Sequence, residues 1–218
     1  MMRHYFDAEL QDLNTEMRTM GHFIEVAIRS AADALRTCDV QKAHEAIAFD
    51  EQVDRKERHI EGLCIKLLLQ QQPVARDLRM ISAALKMITD MERIGDQAAD
   101  IAEIVISLSE HKQRDGAAHL QKMADTASKM VTASVDAYVA QDADLAAKTI
   151  AQDDVIDHLF DTVKRELIEA LRQFPEEGEN LCDLLLIAKY FERIGDHAQN
   201  IAEWVEYSIT GRHKGVLL

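Results

Sequence analysis

The sequence predicts an all-α protein built from two tandem three-helix bundles related by internal duplication. The 218-residue chain is rich in helix-forming residues and contains only 8 glycines, 2 prolines and 5% aromatic residues. Apolar residues recur at steps of three and four along six long segments, as on one face of a helix. The segment ERIGDQAADIAE at 92–103 returns as ERIGDHAQNIAE at 192–203, 100 residues later. A repeat of this length indicates two copies of one folded unit.

The first half is predicted to contain three helices. The first spans 5–37, where the helical spacing of apolar residues is unbroken. Asp39 can cap a second helix over 41–69, because a carboxylate at this position accepts hydrogen bonds from the free N–H groups of the first turn. Pro73 ends that helix. The third helix covers 76–110 and contains the first copy of the repeated segment.

The second half repeats this plan after a polar, glycine-containing segment, HKQRDGAAH at 111–119. This segment is the best candidate for a boundary, so we place the two domains at 1–113 and 114–218. With an offset of 103, Asp39 aligns with Asp142, which predicts the same cap in the second half. The helices of the second half are predicted at 119–140, 143–173 and 180–210.

The charge of the chain limits its partners. Asp and Glu number 39 against 25 Lys and Arg, which gives a net charge of −14. Nucleic acid is not expected to bind, because neutralising its phosphates requires a basic surface. Free phosphate is disfavoured as a direct ligand for the same reason.

The termini and cysteines predict a cytoplasmic protein. The start, MMRHYFDAEL, has no apolar signal region, and no apolar stretch reaches 18 residues, so no transmembrane segment is expected. Cys38, Cys64 and Cys182 are odd in number and lack CxxC spacing. We therefore expect buried thiols in a reducing compartment.

Carboxylates dominate the candidate site. Residues four apart share one helical face, so the repeated segments each place a row of acids along one edge. The preceding helix of each half adds two acids four apart. If the rows face each other, their oxygens suit a hard cation such as Mg, Ca, Mn or ferric iron. The alternative is a solvated acidic face. The candidate metal ligands are Asp50, Asp54, Glu92, Asp96 and Asp100, then Asp153, Asp157, Glu192, Asp196 and Asn200.

Neighbouring residues of the repeated segment have structural interpretations. Gly95 and Gly195 lie inside helices, where close helix approach is the expected reason for glycine. Arg93 and Arg193 are expected to form ion pairs within their bundles or to lie on the surface. His197 is expected to be structural, because its counterpart in the first half is Gln97.

Several catalytic motifs are missing from the sequence. There is no ExxH pair for a ferritin-like di-iron site, no GxGxxG and no GxxxxGK[ST]. No Ser, His or Cys falls in a nucleophile motif. We therefore do not expect an enzyme.

The chain resembles the PhoU family of phosphate-uptake regulators over essentially its full length. The resemblance lies in FDAELQDL at 6–13, LLLQQQPVARDLR at 67–79 and the two ERIGDxAxxIAE segments. It implies two three-helix bundles with carboxylate-bound metal clusters of Fe, Mn or Mg, whose ligands fall on the ten residues given above. The neutral Asn200 in place of Asp100 implies unequal loading of the two sites.

The same resemblance implies a cytoplasmic negative regulator of the phosphate regulon. Its expected partners are the ATPase subunit of the Pst phosphate ABC transporter and a PhoR-type sensor histidine kinase, and a homodimer is expected. The alternative function is a metal-binding or storage protein without signalling partners. The identity and number of the metal ions stay open.

Overall fold

The computed structural model describes residues 2–71, 73–109, 117–214 and 216–217. It confirms the all-α fold class, and the proposed domain boundary between 113 and 114 lies outside the described residues. The first half contains α1 (Met2–Thr37), α2 (Val40–Gln71) and α3 (Ala75–Leu108). The second half contains α4 (Ala117–Ala140), α5 (Ala143–Ala151), α6 (Asp153–Gln173), a 3₁₀ turn (Pro175–Glu177) and α7 (Gly178–Thr210).

The turn after the first helix of each half has the same backbone conformation and the same capping residue. Cys38 and Gln141, which are equivalent, both take a left-handed backbone with φ of 54° and 53°. The next residue is the predicted cap in each case. Asp39 and Asp142 each accept a hydrogen bond of 2.9 Å from an N–H at the start of the following helix. The caps predicted from the sequence are therefore confirmed.

The helix predicted over 143–173 is interrupted at Gln152 in the structure. Here the Gln152 N–H donates to the Thr149 carbonyl at 3.1 Å, and the Val155 N–H donates to the Gln152 carbonyl at 3.0 Å. These three-residue bonds tighten the backbone and divide the segment into α5 and α6. The equivalent of Gln152 is Phe49, which lies inside an unbroken α2.

Four helices from both halves share one core. α3 packs along α7, α1 packs on α4 and on α3, and α4 packs on α7. α2 covers α1 and α3, while α5 and α6 cover α4 and α7. The Tyr138 hydroxyl of α4 donates to the Met80 carbonyl of α3 at 3.1 Å, which joins the halves. The largest fully buried side chains include Tyr138, Phe191, Leu13, Met17, Met20 and Ile24.

A short two-stranded ribbon, which was not predicted, follows α7. β1 (Arg212–His213) pairs antiparallel with β2 (Val216–Leu217). Gly211 ends α7 with φ of 77°, a conformation that favours glycine, and turns the chain back. The His213 ring stacks on Trp204 with ring centroids 3.9 Å apart, and Lys214 Nζ lies 3.0 Å from Glu203 Oε2.

The expectation of three buried thiols is wrong for two cysteines. Cys38 and Cys182 are exposed, because one lies in the solvent-facing left-handed turn and the other on the outer side of α7 near its start. Cys64 is buried, and burial raises its pKa to about 12. Within the described ranges, no helix is long and apolar enough to cross a membrane.

Candidate functional site

Two glycines set the distance between the acid-bearing helices. α2 crosses α3 at Gly95, where a Cβ atom would lie 3.4 Å from Asp50 Oδ1. α6 crosses α7 at Gly195, where a Cβ atom would lie 3.6 Å from Asp153 Oδ1. The predicted close approach is confirmed. It brings the first acid of each pair against the backbone of the neighbouring helix.

In the first half, the acid row of α3 faces the acids of α2. Burial raises the pKa of Asp50, and repulsion from Asp96, Asp54 and Asp100 raises it further. Burial also raises the pKa of Glu92, with repulsion from Asp96 and Asp54. All five predicted residues of this half therefore interact in one group.

The second half repeats this arrangement. The pKa of Asp153 is raised to about 6. Burial is the largest cause, and repulsion from Asp196, Asp157 and Glu192 raises it further. Burial and then Glu192 raise the pKa of Asp196. These contacts join four of the five predicted residues. Asn200 lies one turn beyond Asp196 along α7 and contributes no charge.

Arginines lie at the edge of the first group. Arg93 Nη1 is 3.0 Å from Asp96 Oδ2, and its Nε is 3.4 Å from Glu92 Oε2. Arg58 Nη2 is 3.6 Å from Asp54 Oδ2. The role of Arg93 in ion pairs within its bundle is confirmed. Both arginine side chains are more than half exposed, so they only partly offset the repulsion.

The two groups differ at one position that the sequence analysis missed. In the first half Glu57 belongs to the group of acids. Its pKa is raised by burial first and then by repulsion from Asp54. Its helical spacing, three residues after Asp54, was the available signal. The equivalent residue is Phe160, and Lys189 Nζ lies 5.5 Å from its ring centroid and forms an ion pair with Glu192. At this position the second group therefore has an ammonium group beside an aromatic ring, where the first has an additional carboxylate.

One oxygen in each group lacks a partner. Asp50 Oδ1 and Asp153 Oδ1 are buried without a hydrogen bond. A buried unpaired acceptor is costly, and a hard cation would satisfy it. In the described part of the chain, no three His, Cys, Asp or Glu side chains are already arranged to hold a metal ion. The acids of each group lie close enough to repel one another, but their side chains would have to change rotamer to bind one shared ion.

The two groups are joined through the interface of α3 and α7. His197 Nδ1 lies 2.8 Å from Asp90 Oδ1, and the Tyr190 hydroxyl interacts with Asp100 by a hydrogen bond. Residue numbers rise along α3 as they fall along α7, so the helices are antiparallel. His197 pairs with Asp90, in agreement with its predicted structural role.

The fold and the site together define a class of protein. It is an all-α protein of two duplicated three-helix units, each of which gathers carboxylates between two of its helices. The PhoU domain matches residues 17–105 and 120–205, one copy in each half. The chain belongs to the PhoU family.

Relatives cover nearly the whole chain. It is 34% identical over 215 residues to a phosphate-specific transport system accessory protein PhoU homolog of Pseudomonas aeruginosa, covering 97% of this chain and 89% of that one. It is 35% identical to the corresponding protein of Clostridium acetobutylicum, with 97% of each chain covered.

Solved structures give the same result. The crystal structure of PhoU from Pseudomonas aeruginosa is similar with a TM-score of 0.90 at 34% identity, over 95% of this chain and 100% of that chain. The phosphate transport system regulatory protein PhoU of Streptococcus pneumoniae is similar with a TM-score of 0.87 at 28% identity, over 95% and 98%.

Proposed function

We propose that this protein regulates phosphate uptake in the cytoplasm as a non-enzymatic accessory protein of a phosphate transport system. The observation that carries this proposal is the full-length similarity to phosphate transport accessory proteins, which includes both repeats. The acidic composition and the missing catalytic motifs support a role in protein contacts rather than in direct phosphate binding.

The proposed partners are the ATPase subunit of the Pst transporter and a PhoR-type sensor histidine kinase. Through them the protein acts as a negative regulator that reports the state of the transporter to the kinase. Deletion of the gene in phosphate-replete cells should leave the phosphate regulon switched on. An alkaline-phosphatase reporter that stays unchanged in the deletion strain would count against the proposal.

A pull-down separates regulation from storage. The tagged protein should retain the transporter ATPase subunit when the two are mixed as purified proteins. A metal-storage protein without signalling partners should retain nothing under the same conditions. Retention of the ATPase subunit, with loss of regulation in the deletion strain, excludes the storage alternative.

We propose that the ten predicted ligands hold cations, and three features of the nine that lie together support this. Rows from two helices face each other, each group has a buried oxygen without a partner, and every donor is a hard oxygen. Fe, Mn or Mg would supply positive charge that offsets the repulsion within each row. Asp50 and Asp153 would be the innermost ligands, because their unpaired oxygens are buried.

The two sites should differ in affinity. Cationic side chains pair with acids at both sites, Arg93 and Arg58 at the first and Lys189 at the second. The first site has the additional acid Glu57 and the charged Asp100, where the second has Phe160 and the neutral Asn200. Both differences favour a cation at the first site. Lys189→Met should therefore increase cation affinity at the second site and leave the first unchanged, as measured by calorimetric titration.

The metal proposal is tested by melting temperature and by the fluorescence of Trp204, the only tryptophan. Trp204 lies one turn beyond Asn200, so it should respond to the second site alone. Mn²⁺ or Fe³⁺ should raise the melting temperature by mass action. Asp196→Ala should abolish the fluorescence response, while Asp96→Ala should keep it and lose part of the thermal shift. If elemental analysis finds no metal and neither signal changes, the acids are a solvated face.

We also propose a homodimer, on the basis of exposed apolar side chains at the ends of the helices. Light scattering at micromolar concentration should give twice the chain mass of 24.6 kDa. A mass of one chain across this range would refute the dimer and leave the regulatory proposal to the reporter assay.

A further inference from the structure

Exposed apolar side chains gather at the turn between α2 and α3. Ile65 and Leu69 are four residues apart near the end of α2, and Val74 and Leu78 are four apart at the start of α3. Each pair therefore shares a helical face. Leu69 is 79% exposed and Val74 is 63% exposed. Clustered apolar exposure of this kind is typical of an interaction surface.

This turn is also basic, in a chain with a net charge of −14. Arg76 and Arg79 lie among the apolar residues, together with the acid Asp77. Lys66 lies there too and is 2.5 Å from Glu9. The net charge of the chain would repel an acidic partner, and the two arginines at this turn would attract one. We call the set Ile65, Leu69, Val74, Arg76, Leu78 and Arg79 the basic tip.

The equivalent turn of the second half keeps part of the apolar surface and carries more acids than bases, with Arg172 in place of Leu69. Ile168, the counterpart of Ile65, and Leu171 are both exposed at the end of α6. Three acids follow within the next eight residues. We call the set Ile168, Leu171, Glu176, Glu177 and Glu179 the acidic tip.

The two tips lie at opposite ends of the molecule. α3 begins beside the basic tip and α7 begins beside the acidic tip. The contacts of Asp90 with His197 and of Asp100 with Tyr190 show that these helices are antiparallel. At 1.5 Å per residue, each helix is about 50 Å long. The tips of one chain therefore cannot bind each other.

We infer that the basic tip binds the acidic tip of a second copy of this chain, in a twofold dimer with antiparallel long axes. This inference rests on the proposed homodimer and names its contact surfaces. A twofold axis across the long axis matches both pairs of tips at once, closes the assembly and doubles the buried area of a single contact. Apolar residues in both tips supply surface to bury, and opposite charge fixes the orientation.

An anionic membrane is a poorer occupant of the basic tip. Recognition of acidic lipids uses clusters of about four to eight Lys and Arg. The basic tip has two arginines, and the net charge of −14 would repel the bilayer as the protein approaches. The acidic tip of a second copy offers both opposite charge and apolar contact.

The test uses exposed residues, so that the variants fold. A basic-tip variant carries Arg76→Glu, and an acidic-tip variant carries Glu176→Arg with Glu179→Arg. Each variant alone brings like charges together at both contacts and should run as a monomer of about the 24.6 kDa chain mass in light scattering. Mixed in equal amounts, the two variants bring opposite charges together at both contacts and should recover the dimer.

Controls separate the possible failures. Lys129→Glu reverses an exposed charge in the middle of α4, away from both tips, and should remain dimeric. Circular dichroism should show unchanged helix content in all variants. If the tip variants stay dimeric, or if the mixture stays monomeric, the assignment of the tips is wrong while the homodimer stands. A monomeric wild-type chain would overturn both the tip assignment and the homodimer, and it would leave the proposal of phosphate regulation untouched.

Discussion

Replacing Gly195 with alanine tests whether the acid-bearing helices are as close as the structure indicates. A Cβ atom at this position would lie 2.7 Å from Ile156 Cγ2 and 3.2 Å from Ile156 Cδ1. Ile156 is fully buried, so its side chain cannot swing into solvent. The added methyl must therefore push α6 away from α7 or force Ile156 out of its rotamer.

Two opposing effects determine the size of the change. Overpacking of a core typically costs about 1–3 kcal/mol. Alanine in place of glycine inside a helix contributes about 1 kcal/mol of stability. We expect a net loss of up to about 2 kcal/mol for Gly195→Ala. In a chain of this length, each kcal/mol shifts the melting temperature by about 2–4 °C.

Gly62 provides a matched control. It also lies inside a helix, but a Cβ atom there would meet nothing within 4 Å. Gly62→Ala should therefore show the propensity effect alone and raise the melting temperature by about 2–4 °C. The assay is thermal and urea unfolding of both variants in chelator-treated protein, followed by circular dichroism.

A second substitution identifies the clash. Ile156→Leu removes the branch methyl that lies nearest to Gly195, so the double variant should be more stable than the sum of the two single changes predicts. If Gly195→Ala is as stabilising as Gly62→Ala, the helices do not approach as described. The argument that glycine brings the acids together would then fail.

Two further predictions follow from single residues. The pKa of Asp153 is raised to about 6 from an ordinary value of 3.8. The protonated side chain therefore stabilises the folded state below about pH 4, and this contribution is lost as the pH rises through about 6. In ion-free protein, Asp153→Asn should therefore raise the urea midpoint more at pH 7.5 than at pH 4, whereas the exposed Asp154→Asn should show little difference between the two. Cys38→Gly should raise the free energy of unfolding by about 1 kcal/mol, because a left-handed backbone strains any residue with a Cβ; an unchanged or lower value would contradict this.

Local signals in the sequence predicted most of the fold. The caps at Asp39 and Asp142 were predictable because a carboxylate beside a helical pattern has one common use. The break at Gln152 was not, because no proline or glycine marks it and the apolar spacing continues through it. The ribbon after Gly211 was also missed, because strands of two residues leave no alternating pattern.

The residues of the candidate site could be predicted from the sequence, but their contacts with the other half of the chain could not. Helical spacing put the acids of α3 on one face and paired Asp50 with Asp54, and the two glycines indicated a close approach of helices. Spacing within one half could not show that Tyr190 of the second half interacts with Asp100 of the first. That interaction depends on how the two halves pack, which is a long-range property of the chain.

The core shared by α1, α3, α4 and α7 has a consequence for how the chain folds. Each half alone would leave its side of this core in water, so neither half meets the usual requirement for an independent folding unit. We expect a single cooperative unfolding transition and no stable half-molecule. Two fragments cut within 110–116 should be insoluble or molten when expressed separately, and should reassemble into a helical complex when expressed together. The duplicated chain thus corresponds to a dimer of repeats whose subunits have been joined covalently.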